Sequence, residues 1–231
     1  MRFLALLKKE FRECLPWLLI AAIAFLVLGG LALRLMIQSG STFSYPYRLP
    51  PGSAISTFRL TVHSPLITTG VWLFFISIVL GLALGIRQFF LPHFSRTWGF
   101  TIHRSINKLT ILCAKLFVAA IAFIISLGIV WMVIYWYASL PEILPFPPEP
   151  RLFMEGWILI AMGFTVYLGT ALAGLNKARW YTTKVFPLAF VLVIIVTTVS
   201  QWKLSTAFAV MLIGSLILLS QIIHTFLNRE F

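Results

Sequence analysis

Residue types that could carry out catalysis or bind a metal are few in this chain. All six acidic residues are glutamates and there is no aspartate, which excludes aspartyl nucleophiles, Asp-based metal clusters and calcium loops. The four histidines are scattered and form no HExxH pair: His63, His93, His103 and His224. Two cysteines, Cys14 and Cys113, are too few for a disulfide framework. We therefore predict no catalytic, metal-binding or cofactor-binding residue, and interpret both cysteines as small packing residues.

The chain also lacks the motifs of a nucleotide hydrolase. It contains no G-x-x-x-x-G-K-[ST] phosphate loop, and without aspartate it cannot supply a Walker B carboxylate. An intramembrane enzyme is a weak alternative, because no polar constellation is apparent within the apolar runs. Ser126 and Ser215 are expected to bond backbone carbonyls or neighbouring helices. The sequence predicts that the protein is not an enzyme.

Composition points to the membrane. Of the 231 residues, 60% are hydrophobic and 10% are charged, whereas soluble domains average about 25% charged residues. The net charge of +12 lies on basic residues between long apolar runs. Such residues favour an anionic lipid surface over nucleic acid as the partner. We predict one all-α integral membrane domain over residues 1–231, embedded in the lipid bilayer.

Six apolar runs predict six transmembrane helices, since a bilayer core needs about 20 apolar residues per helix. The fifth run is short and needs interfacial anchors or a locally thinner bilayer. The predicted spans are residues 17–37, 66–86, 116–140, 156–175, 183–201 and 204–227.

Basic residues predict the orientation. With the N-terminus inside, thirteen of the eighteen Lys and Arg residues lie in cytoplasmic segments, as the positive-inside rule requires. Five remain outside: Arg34, Arg48, Arg59, Arg151 and Lys203. The expected location is the cell membrane, with both termini in the cytoplasm.

The first fifteen residues predict an amphipathic helix lying in the membrane interface. On a helix with 3.6 residues per turn, the apolar residues of this segment lie on one face and the basic residues on the opposite face. We expect the chain to turn into the bilayer at Pro16. A charged flank of the first span is the simpler alternative. The residues that define this interfacial elbow helix are Phe3, Leu4, Leu7, Lys8, Phe11 and Arg12.

Two features surround the loop between the second and third spans. Gly81 and Gly85 form a small-xxx-small pair, which lets helices approach closely. Residues 92–108 predict a short amphipathic helix at the cytoplasmic surface, with a ridge of basic and histidine side chains. A solvated basic loop is the alternative.

This loop resembles that of ABC-2 family permeases, the membrane subunits of ATP-binding-cassette exporters. Members carry a pattern of the form T-W-x-F-L-x-x-R-P-[VIL]-S-R, followed by a lysine at the start of the third span. Thr97-Trp98-Gly99-Phe100 is similar to the start of the pattern, His103-Arg104 to its middle, and Lys115 to the lysine. Ser105, where proline is common, and Asn107-Lys108, where Ser-Arg is common, depart from it.

The resemblance implies a transporter subunit whose energy is supplied by a separate ATPase in the cytoplasm. The loop would be the coupling helix that docks a separate cytoplasmic ATPase, which would bind ATP and Mg, so that no cofactor is expected in this chain. A second permease copy would complete the pore as a homo- or heterodimer. The residues implied in ATPase coupling are Arg96, Thr97, Trp98, Phe100, His103 and Arg104.

One rival to the exporter uses the same loop. A non-transporting membrane anchor or assembly protein could hold a soluble partner through these basic residues. An ion- or proton-coupled carrier is disfavoured, because the spans show no obvious buried charge and such charges mark ion pathways.

Overall fold

Long apolar segments become helices in this protein because a helix satisfies every backbone polar group within the segment. The computed structural model describes residues 2–38, 65–94, 107–140, 143, 148–176, 181–201 and 203–228, and every regular element within these ranges is helical.

Six helices follow one another through the described ranges. Helix α2 is extended by a π-helical turn, Ile86–Phe90, and a short helical turn, Leu91–Phe94. Helix α3 consists of two α-helical segments joined by a second π-helical turn, Ile124–Gly128. The bounds are α1 Arg2–Gln38, α2 Pro65–Gly85, α3 Lys108–Phe123 and Ile129–Ala138, α4 Pro150–Leu175, α5 Tyr181–Val199 and α6 Leu204–Leu227.

Five of these helices are long and apolar enough to cross a membrane, which indicates a membrane-embedded protein. They agree in place with five of the six predicted spans, although α3 begins at Lys108 rather than at residue 116, and α4 at Pro150 rather than at 156. The predicted fifth span corresponds to α5, whose apolar part, Val185–Val199, is shorter.

The N-terminal segment differs from its prediction. The predicted turn at Pro16 is absent, since α1 is one helix that contains Pro16 in its interior. A proline costs one backbone hydrogen bond, and neighbouring helices in a membrane protein allow that loss. Residues 2–15 therefore continue the first span as the same helix instead of forming a separate element.

Helix α4 is the centre of the bundle. Every residue from Thr165 to Leu175 is buried, and α4 contacts α2, α3, α5 and α6. A helix buried on all sides needs partners all round, which explains why α4 carries four glycines and many small residues.

The predicted small-residue pair lies at a close contact between α2 and α4. A methyl group added at Gly81 would collide with the backbone carbonyl oxygen of Gly163, and one at Gly85 would collide with the Thr170 side chain. Lipid tails are as apolar as the helices, so close van der Waals packing must replace the hydrophobic effect between them. The prediction of a close approach at Gly81 and Gly85 is confirmed, with α4 as the partner.

Consecutive helices run in opposite directions, so that the bundle has two distinct ends. The start of α1, the end of α2, the start of α3 and the last turns of α4 meet at one end, which we call the basic end. Its described cations are Lys8, Lys9, Arg12, Arg87, Lys108 and Lys115. Aromatic side chains gather at the opposite end, the aromatic end: Trp131, Tyr135, Phe153 and Trp157.

Candidate functional site

Five polar side chains from four helices meet inside the basic end. We call them the buried polar cluster: Glu10, Cys14, Gln88, Lys115 and Tyr167, all less than 9% exposed. Polar groups buried at a membrane-protein core are costly unless they bond to one another. Their arrangement makes this cluster the candidate functional site.

An ion pair joins α1 to α3. The Lys115 Nζ atom donates to Glu10 Oε1 at 2.8 Å, and both side chains are only 8% exposed. The ammonium group also lies 6.0 Å from the centroid of the Phe89 ring, within the range of a cation–π interaction. Burial removes both charges from water, so each depends on the other.

A chain of hydrogen bonds joins α1, α2 and α4. The Gln88 side-chain amide donates to Cys14 Sγ at 3.2 Å and accepts from the Tyr167 hydroxyl at 2.5 Å. The same hydroxyl is 3.4 Å from the backbone carbonyl oxygen of Lys115. Tyr167 therefore connects the Gln88 side chain to the backbone of α3, the helix that carries Lys115.

Local sequence explains how each residue reaches the interior. Glu10 lies on the inward stripe of α1, one turn from Leu7 and from Cys14. Gln88 and Phe89 belong to the π-helical turn that follows α2, and both are buried. A π turn takes an extra residue per turn and redirects the side chains that follow, and such turns are frequent at functional sites.

The cluster joins four helices, and all of its side chains are buried. Cys14 and Tyr167 have no exposed surface, and the thiol is bonded to an amide rather than to a base. Across the described ranges, no group of three or more His, Cys, Asp or Glu side chains could hold a metal. What this arrangement does is link α1, α2, α3 and α4 through side-chain hydrogen bonds at the basic end.

The predicted coupling residues belong to the segment that connects α2 to α3 in the sequence. Arg96, Thr97, Trp98, Phe100, His103 and Arg104 lie outside the described residues. The segment that contains them follows Phe94 and ends before Asn107, whose side chain accepts from the backbone N–H of Leu109 and begins α3. Residues 92–94 and 108 of the predicted coupling helix are helical, as the last turn of α2 and the first residue of α3.

The elbow residues divide between two environments. Phe3 and Leu4 are exposed on the apolar surface, and Leu7 and Phe11 pack against the protein core. Lys8 and Arg12 are exposed and line a hollow beside Arg87. The apolar face of this segment is thus shared between the bundle and its surroundings.

Buried charge is the feature that sequence reasoning missed. Glu10 and Lys115, which lie just outside the predicted spans 17–37 and 116–140, form a buried ion pair between α1 and α3. Cys14 is a buried packing residue as expected, whereas Cys113 is exposed. Ser126 and Ser215 behave as predicted: the first donates to the Ala122 carbonyl oxygen at 2.7 Å, and the second lies 3.0 Å from the Thr165 hydroxyl.

No protein-family model, curated protein or solved structure matches this chain.

Proposed function

We propose that this protein is the transmembrane permease subunit of an ATP-binding-cassette exporter of the ABC-2 type. It would form the translocation path, and a separate cytoplasmic ATPase would supply the energy. The proposal rests on the position of one segment between α2 and α3. The segment with the T-W-x-F sequence connects the two helices, α2 and α3, that contribute Gln88 and Lys115 to the buried polar cluster.

This placement offers a route for mechanical coupling. An ATPase that pulls on the 95–106 segment would move the end of α2 and the start of α3. Gln88 would pass the displacement to Cys14 and Tyr167, and Lys115 would pass it to Glu10, so that α1 and α4 follow. Switching transitions commonly proceed by such rigid-body movements of packed elements.

Six spans with both termini in the cytoplasm complete the proposed subunit. The 19 residues of α5 extend about 28 Å at a 1.5 Å rise per residue, which approaches the ~30 Å bilayer core. The basic end then faces the cytoplasm, as the positive-inside rule favours. A second copy would complete the pore, and the location would be the cell membrane.

Co-purification from the native membrane tests this proposal. The full chain should bring down a nucleotide-hydrolysing subunit, and Arg104→Glu should weaken that association, because truncating one partner of a buried charge pair costs about 2–5 kcal/mol. Trp98→Ala should retain the ATPase but move less substrate per ATP hydrolysed. Arg151→Glu, at the aromatic end, is the matched control and should leave ATPase binding unchanged.

Two outcomes would reject the exporter. If Arg104→Glu and Trp98→Ala bind and transport like wild type, the 95–106 segment is only a solvated basic loop. If a soluble partner binds through this segment but reconstituted vesicles show no ATP-dependent transport, the protein is a membrane anchor instead.

A further inference from the structure

Four cations converge on one hollow at the basic end. The hollow has a volume of about 610 Å³ and lies between the first turns of α1 and the π-helical turn after α2. Lys8, Lys9, Arg12 and Arg87 line it together with a single carboxylate, Glu13. The hollow therefore has an excess of positive charge.

These cations are poorly neutralised by the protein. Lys9 Nζ is 3.9 Å from Glu13 Oε1, at the limit of an ion pair, and both side chains are largely exposed. Among the residues that the structure describes, no carboxylate lies within ion-pair distance of Lys8, Arg12 or Arg87. Their charges are available to an anion from outside the chain.

An apolar groove continues from the hollow along the same two helices. It has a volume of about 190 Å³ and is lined almost entirely by apolar surface, including Ile20, Ala24 and Leu28 of α1 and Val79 and Ala83 of α2. Pro16, in the hollow, is one turn before Ile20, and Arg87 is one turn after Ala83. The basic hollow and the apolar groove are thus successive parts of one seam between α1 and α2.

The dimensions of the groove match one leaflet of a bilayer. From Trp17 to Leu28, α1 rises about 17 Å, roughly half of the ~30 Å hydrocarbon core. Trp17 lies where the groove meets the hollow, and tryptophan is the residue type enriched where a membrane protein crosses the membrane–water interface. Ile20 and Val79 are 59% and 63% exposed, so that the groove opens towards lipid.

From this order of charge, aromatic ring and apolar groove we infer a binding site for one anionic phospholipid at the seam between α1 and α2. The headgroup phosphate occupies the hollow among Lys8, Arg12 and Arg87, and an acyl chain lies in the groove past Trp17. General attraction of basic residues to an anionic membrane does not require the cations to surround a hollow or to continue into an apolar groove. The inference is independent of the proposed transport function.

Native mass spectrometry of the full chain tests the site. The protein is extracted from phosphatidylcholine bilayers that contain a minor fraction of phosphatidylglycerol, and the retained lipids are counted. Wild type is expected to keep one phosphatidylglycerol in preference to phosphatidylcholine. Arg12→Gln with Arg87→Gln should weaken retention roughly 30-fold, because each basic residue at an anionic lipid surface changes affinity about five-fold.

Two sets of variants with matched controls distinguish binding of the lipid headgroup from binding of the acyl chain. Arg34→Gln removes a charge from α1 at the aromatic end and should retain the lipid like wild type. Ala24→Phe fills the groove with all charges intact and should expel the lipid, whereas Leu26→Phe adds the same ring to an exposed position of α1 outside the groove and should not. Thermal unfolding of each variant establishes that it is folded.

Three results would overturn the inference. If the Arg12→Gln, Arg87→Gln double variant retains phosphatidylglycerol like wild type, the lipid headgroup does not bind at these arginines. Equal loss with Arg34→Gln would reduce the effect to general membrane charge. If glycerol phosphate binds as well as the whole lipid, and Ala24→Phe retains the lipid like wild type, the hollow binds a phosphate group and the groove binds no acyl chain.

Discussion

At the basic end, the side chains that join four helices bond to one another, whereas at the aromatic end the rings bond to the backbone. Side chain–side chain hydrogen bonds at the basic end join Lys115 to Glu10 and Tyr167 to Gln88. Trp131, by contrast, donates to the Phe153 carbonyl oxygen at 3.2 Å, and Tyr135 to that of Pro148 at 3.2 Å.

This contrast indicates which end can change its arrangement. Ion pairs and amide hydrogen bonds can be exchanged between alternative partners when helices shift. The aromatic end is fixed instead by ring packing, with the Tyr135 and Phe153 centroids 5.0 Å apart and Trp131 covering Gly156 so closely that an added methyl group would collide with the indole. Under the proposed function, the basic end is therefore the end expected to rearrange, and the aromatic end is expected to hold its position.

The largest expected effect comes from breaking the buried ion pair. Lys115→Met leaves the Glu10 carboxylate buried without its ammonium partner, and an uncompensated buried charge costs about 3–5 kcal/mol. The melting temperature in detergent should fall markedly. The double variant Glu10→Met, Lys115→Met removes both charges and should recover most of the loss. A double variant as unstable as Lys115→Met would show that the pair itself is unimportant.

A smaller effect is expected from the packing between α2 and α4. Gly81→Ala places a methyl group against the Gly163 carbonyl oxygen, and overpacking of a tight contact costs about 1–3 kcal/mol. Gly30→Ala is the matched control, because an added methyl group there meets nothing within 4 Å. It should be neutral or slightly stabilising, since alanine favours helices. Equal melting temperatures for the two variants would contradict the close approach.

The smallest expected effect lies at the aromatic end. Trp131→Phe keeps an aromatic ring but loses the hydrogen bond to Phe153, at a cost of about 1 kcal/mol. Trp136→Phe, at a position 65% exposed, provides the control and should be unchanged. A loss at Trp131 larger than that of Lys115→Met would reverse the ranking of the two ends.

Hydropathy and small-residue spacing predicted the helices and the contact at Gly81, because both depend on local sequence. The continuity of α1 through Pro16 was not predictable, because a proline within a helical pattern usually ends or kinks the helix. The π-helical turns also have no distinct sequence signature here, so that the inward placement of Gln88 could not be foreseen.

The buried polar cluster was only half visible in the sequence. Glu10 shares the three-to-four spacing of Leu7 and Cys14, which places a carboxylate on an apolar stripe. Its partner, Lys115, is 105 residues away, and periodicity carries no information about contacts at that separation. The coupling residues 96–104 lie outside the described ranges, and their role stays a prediction.

Distance measurements within the proposed complex with an ATPase test most directly whether the basic end is the end that moves. In a Cys113→Ala background, where Cys14 is buried, spin labels would be placed on α1 and α3 at both ends. Lys9→Cys with Leu109→Cys reports the basic end, and Arg34→Cys with Trp136→Cys reports the aromatic end. On adding a non-hydrolysable ATP analogue, we predict a change of at least about 1–2 Å in the first distance, the size of helix shifts in switching proteins, and a smaller change in the second. A constant distance at the basic end, or a larger change at the aromatic end, would contradict the account.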